Sequence, residues 1–330
     1  MTLPRVAIAL VFSMALVAAS SCAEAQPASG LARIGLLPFG SPSNEYDRSL
    51  VEAFRRGLRE NGVVENRDVV LDVAWTSSEA ELASAVGELV NRGAKLLIPF
   101  GTSASLATKR QVSMLPILFI GVGNPVGIGL VGSLSRPGAN TTGFSDILLD
   151  LSGKYVQFAR EFSKPQAPIY YLWYNAWGDG QNRLRATEQA TLAVGLKLRA
   201  TSVGSLAELD DAMAAMKRSG AAVFIVQPSP FTFRHRDQLV EAATKHGLGA
   251  IFAFPPAARA GALVAYGPDY ADLCRRAASY ADRILKGTKP SDLAVQEPTK
   301  FDLIINVKTT RAIGLTVPES LRLQATEIIE

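Results

Sequence analysis

Residues 95–131 read KLLIPFGTSASLATKRQVSMLPILFIGVGNPVGIGLV, and this stretch decides how the rest of the chain is read. Residues 95–100 and 117–121 are short apolar runs bounded by turn residues, the pattern of parallel strands covered on both faces by helices. Gly101-Thr102-Ser103-Ala104-Ser105 follows the first run, where glycine permits a tight turn and a hydroxyl can cap the next helix. Gly121-Val122-Gly123-Asn124-Pro125 follows the second run and leaves the same edge of the same sheet. Ligands of open α/β sheets sit beyond the carboxyl ends of the strands, where helix N-termini favour anions. These two loops are therefore the first place to seek a site.

Outward from this stretch the same alternation continues. Residues 33–38 form a strand, Phe39-Gly40-Ser41-Pro42-Ser43 a loop, and Tyr46, Leu50, Phe54 and Leu58 mark one face of a helix. A strand over 69–75 and a helix carrying Leu82, Val86, Leu89 and Val90 complete a βαβ pattern, which implies a parallel sheet. Residues 135–140 break the pattern and 141–145 read as a short extended piece. Alternation then restarts, with helices over 151–162, 181–194, 206–218 and 231–246 and strands over 169–173, 197–202, 222–227 and 250–253. The tail adds an extended piece at 262–266, a long helix at 269–286 and a strand at 301–306. These extra elements imply that the chain returns to the first unit and crosses again, building a hinge.

A length of 330 residues suits two domains, and a hydrophobic fraction of 48% supplies two cores. The net charge of +4 is scattered, with no basic run interleaved with aromatics, so nucleic acid is not an expected partner. Residues 1–25 have the layout of a cleavable secretory leader: Arg5, an apolar run over 6–19, and Ala23-Glu24-Ala25 before Gln26. Cys22 also admits lipid attachment. The alanine three residues before it, where an aliphatic residue is usual, favours cleavage after Ala25 and a periplasmic destination. Only Cys274 then remains, so no internal disulfide forms. Tyr270, Leu273, Cys274, Ala277, Ala281 and Ile284 share one helical stripe, which makes Cys274 a core residue.

Several motifs in order resemble the ABC-transporter substrate-binding proteins of the TrpX-like group. They are Gly57-Leu58-Arg59-Glu60-Asn61-Gly62, Gly101-Thr102-Ser103, Gly123-Asn124-Pro125-Val126-Gly127, Arg136-Pro137-Gly138-Ala139-Asn140-Thr141-Thr142-Gly143, Tyr266-Gly267-Pro268-Asp269 and Pro298-Thr299-Lys300-Phe301. The resemblance implies a type I periplasmic binding protein: an α/β fold of two Rossmann-like lobes joined by a three-crossover hinge and closing on a small ligand. Residues 31–143 with 263–290 are expected as one lobe, and 144–262 with 291–330 as the other. Some members of the group resemble receptors for aromatic amino acids. Here Asn124 stands where Asp is frequent, Tyr174 near a frequent Asn, Ser229 where Asp is common, and Phe254-Pro255-Pro256 replaces a more polar stretch. Each change removes a partner for a ligand ammonium group, which points away from an ordinary amino acid.

The expected ligand contacts sit at strand ends. Thr102 and Ser103 offer hydroxyls and helix N-terminal amides to a carboxylate, and Gly40 and Ser41 hold the equivalent position after the first strand. Gly123, Asn124 and Pro125 are read as ligand contacts or loop formers. Tyr174, Asn175 and Trp177 follow a second-lobe strand, where a ring can stack on a flat ligand or pack between lobes. Gln227 and Ser229 offer amide and hydroxyl groups or shape a turn, and Phe254 and Tyr266 belong to pocket wall or hinge. Carboxylates near loops, Glu45, Asp47, Asp179 and Asp269 among them, are assigned to solvent or helix ends. His235 and His246 are roughly three turns apart on one helix, too far to share a metal. No Gly-x-Ser-x-Gly elbow, P-loop or complete Gly-x-Gly-x-x-Gly motif occurs. Neither catalysis nor a cofactor is expected. The chain is expected to be a monomeric receptor that hands a small-molecule ligand to an inner-membrane ABC permease. A sensory receptor for a membrane signalling protein is the alternative, and a secreted hydrolase a more distant one.

Overall fold

The computed structural model describes residues 30–177 and 180–330, so the leader, Cys22 and Asp179 lie outside the described residues. Strands β1 (Ala32–Leu37), β2 (Val69–Val73), β3 (Ala94–Pro99), β4 (Ile117–Val122) and β5 (Thr141–Ser145) form a parallel sheet in the order β2-β1-β3-β4-β5. β4 and β5 are buried along their whole length, as unbroken apolar or small-residue strands must be when helices cover both faces. Helices α1 (Glu45–Glu60), α2 (Glu79–Asn91) and α3 (Thr102–Gln111) supply the crossovers. α1 starts at Asn44, whose side chain accepts from the Asp47 N–H at 3.1 Å, and it buries Val51, Phe54 and Leu58.

The second sheet holds β6 (Ile169–Tyr174), β7 (Leu198–Val203), β8 (Val223–Val226), β9 (Gly249–Phe252), β10 (Val264–Pro268), β11 (Phe301–Asn306) and β12 (Glu327–Ile329). Their order is β12-β11-β10-β9-β8-β6-β7, parallel except between β10 and β11. Around it stand α4 (Ser152–Glu161), α5 (Gly180–Ala193), α6 (Leu209–Arg218), α7 (Pro230–Arg234), α8 (Arg236–Lys245) and α9 (Pro256–Arg259). The helix expected over 231–246 is two helices that meet at His235. Ser229 begins the first of them through a capping box with Thr232.

After β10 the chain enters α10 (Tyr270–Leu285), whose N-cap Asp269 accepts from the Asp272 N–H. α10 packs in the first core with Phe54 and Leu58, so the chain has changed lobes. It returns before β11, and α11 (Val307–Ala312) and α12 (Glu319–Gln324) finish the second lobe. The lobe boundaries differ from the expected ones in three places. β10 belongs to the second sheet, so residues 264–268 leave the first lobe. Phe144 and Ser145 belong to β5 of the first sheet. Leu293 and Val295 are buried in first-lobe clusters, so the last crossover follows Gln296. Burial decides each case, because an apolar side chain follows the core that covers it.

The three crossovers run side by side. Ser145 N–H donates to the Gln296 carbonyl at 2.8 Å, and Asp269 N–H donates to the Lys300 carbonyl at 3.1 Å. Asp272, buried on α10, receives Arg275 at 2.8 Å and Lys300 at 3.3 Å, the latter from the third crossover. Burial alone would raise the Asp272 pKa, but hydrogen bonds from Arg275 and Lys300 outweigh it and hold the carboxyl below its ordinary value.

Two outcomes follow. A Cβ at Gly57 would lie 2.1 Å from the Arg275 carbonyl oxygen of α10, so Gly57→Val should force the two helices apart and cost roughly 1–3 kcal/mol or more in denaturant unfolding. A depressed folded-state pKa gives stability that is present above the unfolded pKa and is lost as pH falls through the folded one. Asp272→Asn should therefore lower Tm at neutral pH, with the deficit closing below about pH 4 in a thermal-unfolding series.

Candidate ligand-binding cleft

The carboxyl ends of both sheets face one another across a cavity of about 120 Å³. From the first lobe, β1 delivers Pro38 and Phe39, β3 delivers Phe100 to Ala104, and β4 delivers Ile120 and Gly121. From the second, Trp177 follows β6, Pro228 to Pro230 follow β8, and Phe254 follows β9. Asp146 and Leu148 come from the first crossover, and Tyr270 and Cys274 from α10. The register of β4 against β5 shifts between Ile120 and Val122. Gly121 takes φ +70° there, and a Cβ on it would stand 2.8 Å from the Tyr270 ring. Glycine thus lets α10 reach the cavity.

The walls are aromatic and join the lobes. Tyr46 on α1 faces Phe233 on α7 at 6.2 Å between ring centroids, Phe233 meets Phe254 edge-on at 5.0 Å, and Phe254 meets Tyr270 at 6.3 Å. This arc runs from the first lobe through the second and back. Arg183, buried on α5, lies over the Trp177 ring at 5.3 Å. A Cβ at Gly123 would come within 2.5 Å of Arg183 Nη2 and 3.1 Å of Asp146 Oδ1, so this second-lobe arginine reaches the end of β4 in the first. Burial raises the pKa of Tyr46, Tyr270 and Cys274, keeping all three protonated at neutral pH. The Cys274 thiol is buried and inert.

Of the expected contacts, Thr102, Ser103, Trp177, Ser229 and Phe254 line this cavity. Gly101, not a hydroxyl residue, is the N-cap of α3 at φ +82°, and no side chain caps that helix. The Ser103 hydroxyl donates to Glu79 Oε1 at 2.6 Å, which commits it elsewhere. Ser229 caps α7. Gly40 and Ser41 stand one layer back, where Ser41 N–H donates to Asp47 Oδ2 at 2.9 Å.

The remaining expected residues lie outside the lining. Asn124, at φ +51°, turns its side chain inward to accept from Gly127 N–H at 2.9 Å, and the Pro125 carbonyl accepts from Leu130 and Val131, so both shape their loop. Tyr174 stacks on Phe231 at 4.2 Å. Asn175 is exposed and its N–H donates to Val203. Gln227 is wholly buried, accepting from Tyr174 N–H at 3.1 Å and donating to the Gly180 carbonyl at 2.9 Å, a tie between β6 and α5. Tyr266 packs on Phe158 and Phe301 beside the crossovers.

Residues not expected at the site include Tyr46, Asp146, Arg183, Phe233 and Tyr270, and above all Asp47. Asp47 stands in the first turn of α1, the helix-end place expected of it, but it does not face solvent: it is 7% exposed and lines the cavity. Its sequence signal is its place on the buried stripe of α1, one turn before Val51 and two before Phe54. Among the described residues no cluster of three or more His, Cys, Asp or Glu could hold a metal, and no helix is long and apolar enough to cross a membrane.

Known proteins share this fold. The chain is 20% identical over 266 residues to a tyrosine-binding protein from Clostridioides difficile strain R20291, covering 80% of this chain and 76% of that one. A conserved domain protein from Vibrio cholerae superposes with a TM-score of 0.83 at 22% identity, over 91% of this chain and 100% of that one. An ABC domain in complex with L-Trp from Streptococcus pneumonia superposes with a TM-score of 0.82, also at 22% identity and with the same coverage. At these identities the superpositions show the fold alone: two α/β lobes of the type I periplasmic binding kind. The profile of one family, described as ABC transporter substrate binding protein, matches residues 45–329. The chain therefore belongs to the ABC transporter substrate binding proteins, a family of binding proteins rather than enzymes.

Proposed function

We propose that this chain is the periplasmic receptor of an ABC importer, capturing a small carboxylate-bearing organic ligand, aromatic in body, between its lobes and presenting the closed form to an inner-membrane permease. One observation carries the reading. A cavity sits where the carboxyl ends of both sheets meet, with walls from both lobes. A ligand touching both lobes stabilises their closed arrangement by its differential affinity for it, and closure is what a permease reads. The secretory layout of residues 1–25 supports the periplasmic address. The ligands named for the C. difficile and S. pneumonia proteins support an aromatic one.

The carboxylate is assigned to the start of α3. Its first-turn amides have no side-chain cap, and Thr102 adds a hydroxyl at the cavity wall. Because Ser103 already serves Glu79, the two hydroxyls are not equivalent.

The receptor reading is tested by unfolding natively purified protein and identifying the released small molecules by mass spectrometry, then returning the recovered compound to refolded protein. An unmodified carboxylate that raises Tm and compacts the chain in small-angle scattering is expected; at about a hundred times Kd it should add roughly 2.7 kcal/mol. Recovery of a chemically converted compound, or a Tm rise without compaction, would count against a closing receptor. Thr102→Val should weaken that ligand by about 1 kcal/mol in calorimetric titration, whereas Ser103→Ala should leave its affinity within twofold or so.

A further inference from the structure

The cavity holds two carboxylates in very different states. Asp146 has both oxygens engaged: Oδ1 accepts from Leu148 N–H at 3.1 Å and Oδ2 from the Tyr270 hydroxyl at 3.2 Å. Asp47 Oδ2 accepts from Ser41 N–H at 2.9 Å, while Oδ1 is buried with no hydrogen-bond partner. A buried carboxylate oxygen without a donor is costly, and native interiors rarely leave one.

Local structure does not account for the charge. Asn44 already caps α1, and holding the Ser41 amide needs one neutral acceptor, which Asn or Ser supplies without burying an anion. The loop also makes room for the carboxylate, since a Cβ at Gly40 would lie 2.3 Å from Asp47 Oδ2. The charged group facing Asp47 from the other lobe is Arg236, whose Nη1 donates to the Phe233 carbonyl at 2.9 Å and whose guanidinium lies over the Phe233 ring at 5.1 Å. Around Asp47 the cavity presents Tyr46, Leu50, Phe100, Phe233 and Phe254. Aromatic faces and a carboxylate together are the environment that a cationic nitrogen on an apolar body prefers. The volume of about 120 Å³ is near the ~150 Å³ that accommodates one benzene ring, which fits a single ring better than a fused pair.

We propose that the ligand of this cleft carries a protonated primary amine on a single-ring aromatic body, and that its ammonium group donates to Asp47 Oδ1. This rests on the receptor reading and narrows it. On this proposal the acid absent from the strand ends at Asn124, Tyr174 and Ser229 is supplied by the first turn of α1, against the expectation drawn from those residues.

The test is a calorimetric titration of the exported chain with matched probes: L-phenylalanine and L-tyrosine, their deaminated acids 3-phenylpropionate and 3-(4-hydroxyphenyl)propionate, and the decarboxylated amines phenethylamine and tyramine. The wild-type protein should prefer each amino acid to its deaminated partner by about 10- to 150-fold. In Asp47→Asn that preference should shrink to a few-fold while affinity for the deaminated acids holds. Burial raises the Asp47 pKa, so the charge opposes folding at neutral pH and the ligand-free variant should melt no lower than wild type. If it does melt lower, the preference ratio still decides, because a loosened loop weakens both members of a pair alike. Equal binding of the deaminated acids, an undiminished preference in the variant, or no binding by any amine-bearing probe would each overturn the proposal. Recovery of an amine-free carboxylate from the native protein would overturn it and leave the receptor reading in place.

Discussion

The packing of α10 on α1 is the contact on which the rest of the structure depends. α10 leaves a strand of the second sheet and docks in the core of the first, so the chain must cross between lobes before and after it. Without that docking the molecule would be two beads on one connection, free to rotate; with it, three parallel crossovers restrict the lobes to opening and closing. Gly57 permits the contact by letting the backbone of α10 approach where any side chain would stand. The same helix then carries Tyr270 past Gly121 into the cavity, so the hinge and the site share one element.

The cavity follows from parallel sheets meeting end to end. Every strand that contributes does so at its carboxyl end, where loops leave and helices begin, so backbone amides and turn residues gather with no distortion of these strands beyond single register shifts in the β1–β3 and β4–β5 pairs. The aromatic arc from Tyr46 through Phe233 and Phe254 to Tyr270 then makes contact between the lobes largely apolar. Polar groups are few, and Asp47, Ser103, Asp146 and Ser229 each already hold a protein partner.

What the sequence revealed, and what it did not, divides along this geometry. The strands were legible because runs such as ILFIGV admit little else, and the return of the chain was legible from the extra helix and strand that follow the second set of alternating elements. The exact exchange points were not, since β10 is apolar whichever sheet receives it. In the cavity lining, Thr102, Ser103, Trp177, Ser229 and Phe254 were legible because they sit at strand ends, where position alone implies the cleft. Asn124 and Gln227 occupy the same kind of position but spend their side chains on neighbouring backbone, which no local pattern discloses. Tyr46, Asp47, Arg183 and Phe233 reach the cavity from helices, and periodicity assigns a helical residue to a face without saying which lobe that face will meet.

Asp47 shows why such a residue is informative once found. An acid on an apolar helical stripe conflicts with the packing around it, and such conflicts between local preference and overall fold are where function is expected. If its free oxygen receives a ligand ammonium group, the charge has a second consequence. With the lobes shut and the cavity empty, Asp47 is buried with half its hydrogen-bonding capacity unused, which disfavours that state; with the lobes apart, water can reach the carboxylate. A cationic ligand removes the penalty only in the closed form, so its differential affinity for that form includes the relief of a cost already built into the protein. The same unpaired atom that would select the ligand would thus also keep the unloaded receptor from presenting itself as loaded.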